Sequence, residues 1–298
     1  MNNELETWKK AGKLAGETRE FGKEIIKENV NFLDVARKIE DFIIKKGGKP
    51  GFPVQISIND IAAHYTPLPE DTSIFKKGDI VKLDLGVHID GYIGDTALTI
   101  EVGTNKNQDL IKASKEALNE AIKLCKPGVK VCEIGEVVSS VISSFGFNPI
   151  KNLSGHKVDR YILHSYISIP NFNNNDKTIL KEGMTIAIEP FASTGIGLVK
   201  EGKPSSNYRL HNPKPVRDII TREILNFIQK EFVTLPFAKR YLTEKFSMPK
   251  VNFALSNLEK QGILYQYPQL PEKQEGCLVS QHEHTIYIND PPIVLTKI

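Results

Sequence analysis

The segment Ile80-Val-Lys-Leu-Asp84-Leu-Gly-Val-His-Ile89, followed by Asp90-Gly91 and Tyr92-Ile-Gly-Asp95-Thr-Ala-Leu-Thr-Ile100, predicts a β-hairpin. An Asp-Gly pair between two alternating runs is a strong signal for a two-residue turn. With that turn, Asp84 faces Ala97 and Asp95 faces Gly86. The two aspartates then lie on one face as diagonal neighbours, about 7–8 Å apart at the backbone.

The aspartate face of this hairpin has two interpretations. Aspartate is disfavoured inside strands, and two nearby carboxylates repel each other unless a cation or a proton intervenes. The face could be the hydrated side of an antiparallel sheet, or it could be one wall of a cation site. The other face of the first strand is wholly apolar and must be core; it carries Val81, Leu83, Leu85, Val87 and Ile89. The hairpin alone leaves both interpretations open.

Length and composition are ordinary for a soluble enzyme. A chain of 298 residues with 40% hydrophobic and 25% charged residues suits one large α/β unit, one unit with an insertion, or two domains. No run approaches the roughly 18 apolar residues that a membrane span needs, so we expect no membrane association. The charged N-terminal segment lacks the apolar core of a secretory signal, which favours a cytoplasmic location. The three cysteines are too few for a disulfide framework and are expected to be buried.

Charge is unevenly distributed along the chain. The net charge is only +3, but residues 192–271 contain 12 Lys and Arg against 6 Asp and Glu, and the remainder is slightly acidic. This basic segment also shows a helical pattern, with predicted helices at 215–232, 236–246 and 249–261 and an extended stretch at 262–265. We therefore predict a helical, winged-helix-like insertion at 192–271 in a unit formed by 1–191 and 272–298.

Apolar periodicity predicts the elements of that unit. The helices are expected at 8–25, 32–43, 109–125 and 132–145, and the strands at 54–58, 79–89, 92–102, 159–169, 183–189 and within 277–296.

Three more candidate ligands occur downstream of the hairpin. His156 follows Gly155, which would allow a sharp turn; Glu189 ends the strand Thr185-Ile-Ala-Ile-Glu189; and Glu283 lies in the alternating run from Val279 to Tyr287. Taken singly, each is more often a solvated residue than a ligand.

In this order, the five residues resemble the two-metal site of the methionine aminopeptidases and their pita-bread relatives. The match consists of Asp84, Asp95, His156, Glu189 and Glu283, supported by Ile61-Ala-Ala-His64-Tyr-Thr-Pro67, Ile188-Glu189-Pro190-Phe191 and Glu283-His284-Thr285. The resemblance implies an α+β fold with a curved antiparallel sheet flanked by helices. The insertion is similar to that of type II members, in their archaeal form.

The resemblance also implies a chemistry: removal of the N-terminal methionine from nascent polypeptides by a hydroxide that two metal ions activate. Asp84 would hold one ion, His156 and Glu189 the other, and Asp95 and Glu283 both. Ligands that are mostly oxygen suit cobalt, manganese, iron or zinc without choosing among them.

Further residues match family positions outside the metal shell. His64 resembles the residue that bonds the scissile nitrogen, His164 the one near the oxyanion, and Glu189 a proton carrier. Phe52, Leu163 and Asn207 match the wall of the methionine pocket. No role is implied for His88, His211, His282 and His284.

Two other classes of function remain open from the sequence. An X-Pro dipeptidase or aminopeptidase P shares the ligands, but normally carries a separate domain ahead of them, and only 83 residues precede Asp84. A non-catalytic ribosome- or RNA-binding protein on the same fold is the second, motivated by the basic insertion. We expect a monomer.

Overall fold

Two helix pairs and several antiparallel sheets make up most of the structure, a computed structural model that describes residues 2–298. The helices are α1 (Asn2–Ile25), α2 (Phe32–Lys45), α3 (Gln108–Lys123), α4 (Val131–Ser144), α5 (Ile219–Glu231), α6 (Lys239–Thr243) and α7 (Met248–Lys260). The strands are β1 (Lys49–Ile58), β2 (Ile61–Ala63), β3 (Ile80–Ile89), β4 (Tyr92–Glu101), β5 (Asn148–Pro149), β6 (Ser154–Val158), β7 (Ser168–Pro170), β8 (Thr185–Ile188), β9 (Phe191–Ser193), β10 (Pro204–Leu210), β11 (Phe237–Ala238), β12 (Leu264–Pro268), β13 (Leu270–Pro271), β14 (Val279–Gln281), β15 (His284–Tyr287) and β16 (Ile293–Val294).

The predicted hairpin forms in the predicted register. Asp84 pairs with Ala97 and Asp95 with Gly86. Both turn residues, Asp90 (φ 50°) and Gly91 (φ 84°), have the positive φ that this class of turn requires. The apolar face of β3 is core from Val81 to Val87, as expected, because α1 and α2 pack over it and exclude water from its side chains. Ile89, at the end of the strand, is only half-buried.

The second half of the unit repeats this arrangement. Helices α3 and α4 pack together and cover the sheet of order β16-β15-β8-β6-β7, with a core that includes Ile134, Ile186 and Ile286. The two sheets meet where Glu283 and Ala97 exchange backbone hydrogen bonds of 3.0 and 3.4 Å. That junction brings the face of β3 and β4 that carries the aspartates next to β6, β8 and β15.

Several predicted elements differ from the structure. The strand predicted at 159–169 is mostly turn and loop, because Asp159 and Ile162 hydrogen-bond to each other and reverse the chain there. The helix predicted at 236–246 shrinks to α6, since 237–238 pairs with β10 instead.

The basic segment has its own core. Residues between Tyr208 and Leu264 form a separate apolar cluster, built by α5, α6 and α7 around the sheet of order β11-β10-β12. The segment is thus less purely helical than its periodicity indicated. By contrast, Ala192 and Ser193 lie in β9, which pairs with β5 and β14 of the surrounding unit.

No helix within residues 2–298 combines the length and the apolar character needed to cross a membrane. All three cysteines are buried and unbridged, as expected.

Candidate metal centre

Five side chains from both halves of the molecule line one small cavity of about 160 Å³. Asp84 and Asp95 come from the hairpin, and His156 comes from β6, where it pairs with Ala187. Glu189 directly follows β8, and Glu283 directly precedes β15. The strand pairing therefore brings together all five residues to which the sequence assigned a metal-binding role.

Gly155 explains how His156 reaches this cavity. A Cβ atom at Gly155 would lie 2.2 Å from the carbonyl oxygen of Ala187. The glycine is thus needed for the close approach of β6 and β8, and the sharp turn expected there is absent because residues 154–158 are extended.

The four carboxylates lie together with few partners; Asp95 and Glu283 are buried, and Asp84 and Glu189 are half-buried. Asp95 is 3% exposed and Glu283 2%. Burial raises the pKa of Asp84 to about 7, and burial followed by repulsion among the acids raises the pKa of Asp95, Glu189 and Glu283 above their usual values. One oxygen each of Asp84 and Asp95 is buried and has no hydrogen-bond partner among residues 2–298.

These properties fit a divalent cation. Asp95, His156 and Glu283 each offer one ligand atom, and these atoms lie within 4.8 Å of one another. The Nε2 atom of His156 is 3.6 Å from Asp95 Oδ2 and 3.8 Å from Glu189 Oε1. Burial lowers the pKa of His156 to about 4, so its ring is neutral at pH 7 and can act as a ligand. Buried acids of this kind are found where a metal compensates their charge.

Gln281 is a residue at this site that the sequence reasoning missed. Its Nε2 atom lies 3.5 Å from Asp84 Oδ2, 3.4 Å from Glu189 Oε2 and 3.4 Å from Glu283 Oε2. The residue is fully buried. The alternation that places Gln281 and Glu283 on one face could have found it.

His64 is held by two contacts at the rim of the cavity. Its backbone has φ 71°, a left-handed conformation, and its N–H donates to Gln55 Oε1 over 2.8 Å. Its Nδ1 lies 3.1 Å from the carbonyl oxygen of Pro268. Since a carbonyl only accepts, Nδ1 carries the proton. Burial lowers the pKa of His64 to about 4, so at neutral pH its Nε2 is a hydrogen-bond acceptor.

His164 lies beside His156, with ring centroids 4.3 Å apart. The residue is exposed, yet burial among protein atoms, followed by repulsion from His156, His64 and Arg209, lowers its pKa well below the usual value. His164 is therefore also neutral at pH 7. The four histidines without a predicted role are absent from the lining of this cavity.

The predicted pocket wall residues Phe52, Leu163 and Asn207 all line the cavity and are buried. Asn207 Oδ1 has no hydrogen-bond partner within residues 2–298, which leaves it available to a bound molecule. Pro236 and Tyr267, both from the basic segment, line the same cavity and were not predicted. The cavity thus has an acidic floor and a partly apolar wall.

Comparison with known proteins gives near-full-length matches. The model of metallopeptidase family M24 matches residues 6–217. A methionine aminopeptidase of Pyrococcus abyssi is 47% identical over 287 residues, covering 96% of this chain and 97% of that protein. One of Methanothermobacter thermautotrophicus is 41% identical over 288 residues, covering 96% of each.

Solved structures agree on the fold. A methionine aminopeptidase of Thermotoga maritima superposes with a TM-score of 0.72 at 25% identity, covering 100% of this chain and 98% of its own. A thermophilic Arx1 gives a TM-score of 0.87 at 18% identity, covering 99% and 91%, a likeness of fold alone. The predicted family and pita-bread fold are confirmed, and the chain belongs to metallopeptidase family M24, together with the archaeal methionine aminopeptidases.

Proposed function

We propose that this protein is a hydrolase that removes the N-terminal methionine from nascent polypeptides. The observation that carries the proposal is the cluster of four carboxylates, each buried or half-buried, and one imidazole in a small, partly apolar cavity. Near-full-length similarity to proteins named methionine aminopeptidase supports it.

The proposed cofactor is a pair of divalent ions: cobalt, manganese, iron or zinc. Asp84 would hold one ion, His156 and Glu189 the other, and Asp95 and Glu283 both. Such ions supply an acidified water and offset the negative charge that develops on the attacked carbonyl oxygen. Four acids around one imidazole suit this pairing, because their repulsion is unfavourable without cations.

The remaining roles belong to side chains of the cavity. The methionine side chain would pack against Phe52 and Leu163, beside Asn207. His64 would accept a hydrogen bond from the scissile nitrogen through Nε2, because its Nδ1 proton points to Pro268. His164 would donate a hydrogen bond to the oxygen of the scissile carbonyl, and a carboxylate oxygen of Glu189 would carry a proton from the attacking water to the leaving nitrogen.

A peptide-release assay tests this proposal. The chain is incubated with Met-Gly-Met-Met and, separately, with X-Pro peptides, with added manganese or cobalt. Release of methionine from the first but nothing from the second is expected. Cleavage of the X-Pro peptides alone would instead favour the prolidase-like alternative. That alternative has less support, since the prolidase of Pyrococcus horikoshii is 21% identical to this chain, whereas the methionine aminopeptidase of Pyrococcus abyssi is 47% identical.

A purely binding role is tested by metal analysis. If the purified chain takes up no divalent ion supplied in excess, the enzyme proposal is wrong. A Glu283→Gln variant should take up less metal than the wild type. The matched control is Glu275→Gln, which changes an exposed glutamate away from the cavity and should take up as much metal as the wild type.

The setting of the enzyme is also part of the proposal. We infer a catalytic unit of residues 1–191 and 272–298 with an insertion at 192–271, acting as a cytoplasmic monomer. The basic insertion would contact the ribosome. We expect the protein to co-sediment with ribosomes, and to do so less as the salt concentration rises. Ribosome binding that survives neutralisation of Lys and Arg in residues 200–260 would exclude this contact.

A further inference from the structure

The face of strands β10 and β12 that lines part of the cavity extends beyond the cavity toward solvent. Strands β10 and β12 pair antiparallel, with Arg209 opposite Tyr265. Because side chains alternate along a strand, Asn207 and Arg209 share one face of β10, and Tyr265 and Tyr267 share the same face of β12. Asn207 and Tyr267 line the cavity. Arg209 and Tyr265 are therefore the next side chains on the way out.

These side chains form a continuous row from His64 to the surface. The ring centroids of His64 and Tyr267 are 5.2 Å apart, and those of Tyr267 and Tyr265 are also 5.2 Å apart, both edge to face. The guanidinium carbon of Arg209 lies 5.2 Å from the Tyr265 ring centroid. Tyr267 is 7% exposed and Tyr265 39%, so the row leads from the buried site to solvent.

In the part of the chain that the structure describes, no carboxylate neutralises Arg209. It makes none of the ion pairs found within residues 2–298. Its side chain is half-buried against aromatic rings. A guanidinium in this setting is a ready partner for a carboxylate.

We propose that Arg209, Tyr265 and Tyr267 form a subsite for a carboxylate on the third or fourth residue of the substrate peptide, an inference that rests on the proposed function. An extended peptide advances about 3.3 Å per residue. Two further residues carry a chain whose scissile nitrogen lies at His64 past Tyr267. A glutamate side chain, which is about 5 Å long, then covers the remaining step to Arg209, because three contacts of 5.2 Å place its guanidinium at most about 16 Å from the His64 ring. The carboxylate can be an acidic side chain or the C-terminus of a short peptide.

The test compares peptides that differ only in charge. Amidated Met-Gly-Glu-Ala-Ala, Met-Gly-Gln-Ala-Ala and Met-Gly-Lys-Ala-Ala are assayed for kcat/KM, with a second set carrying the variable residue at position four. Met-Gly-Ala as free acid and as amide separates the C-terminal source from the side-chain source. In one of the two sets, the kcat/KM of the glutamate peptide should be about two- to fivefold that of the glutamine peptide, and the kcat/KM of the lysine peptide should be the lowest. A kcat/KM that is about two- to fivefold higher for the free acid of Met-Gly-Ala than for its amide would also support the subsite.

Variants attribute that preference to Arg209. Arg209→Gln should abolish it, and Arg209→Lys should retain part of it. Lys230→Gln removes one exposed charge from α5, away from the cavity lining, and should leave it unchanged.

Equal rates for all peptides, or a preference that survives Arg209→Gln, would overturn the subsite. Methionine release from no peptide would instead contradict the proposed function. In that case, a comparison of the equilibrium dissociation constants of the glutamate and glutamine peptides would still test whether the subsite exists.

Discussion

At the scale of single residues, Gln281 connects the carboxylates to one another. Its amide nitrogen lies within 3.5 Å of oxygens from Asp84, Glu189 and Glu283. A neutral donor in this position orients the three acids without adding charge. Groups that orient ligands in this way are commonly worth 10–100-fold in metal affinity.

Replacing this side chain should weaken metal binding more than it weakens folding. We expect Gln281→Ala to raise the dissociation constant for manganese about 10- to 100-fold, measured by calorimetric titration of the metal-free chain. Gln274→Ala, an exposed glutamine in the loop before β14, is the control and should match the wild type. An unchanged affinity in Gln281→Ala would show that the acids orient themselves.

At the scale of elements, α6 is tied to α2 by a buried ion pair between Arg240 and Glu40. Arg240, which is 1% exposed, donates from Nε to Glu40 Oε2 over 3.1 Å and from Nη1 to Thr66 Oγ1 over 2.7 Å and Pro67 O over 3.0 Å. Thr66 is two residues from His64. One side chain of the insertion thus braces α2 and the loop that carries a proposed catalytic histidine.

Removing only one partner of this ion pair should lower the free energy of unfolding. Arg240→Met leaves the Glu40 carboxylate buried without its cation, and we expect a loss of about 3–5 kcal/mol in the free energy of unfolding, measured with urea. Adding Glu40→Gln to Arg240→Met should restore part of the loss, since no buried charge then remains. A double variant that is less stable than the single one would contradict this account.

At the scale of the whole molecule, the acidic centre opposes folding when no metal is bound. The pKa of Asp84 is about 7 in the folded chain and 3.8 when unfolded. The folded form therefore holds this proton more tightly, so low pH favours folding. The stability associated with protonation is lost as pH rises from about 4 to about 7.

The expected consequence is a variant that is more stable without metal and less able to bind it. In the presence of a chelator at pH 7.5, Asp84→Asn should be more stable than the wild type, by up to about 4 kcal/mol, and the difference should vanish near pH 4. With manganese added at pH 7.5, the order should reverse. Thermal unfolding at several pH values, with chelator and with manganese, measures the stability of both proteins. A stability difference in chelator that does not change with pH would contradict the raised pKa of Asp84.

Much of this protein can be read from local sequence. The Asp90-Gly91 turn and the alternation around it predicted the register of β3 and β4, because turn chemistry and side-chain alternation act over a few neighbouring residues. The helix pairs followed from apolar periodicity for the same reason. The family pattern named the residues that line the cavity, although their roles as ligands remain predictions.

Other features depend on contacts between residues far apart in the chain. Periodicity predicted a strand at 159–169, where the structure has a reversal, and of the sheet in the insertion it indicated only the extended stretch at 262–265. Nothing local marked Arg240 or the row from Tyr267 to Arg209, and alternation alone did not show that Gln281 meets the carboxylates. Their positions follow from the meeting of two sheets and from the packing of the insertion against His64. The sequence by itself determined the hairpin, the helices and the family, whereas the tertiary structure alone decided which buried charges meet, because burial and electrostatic contact depend on distance in space.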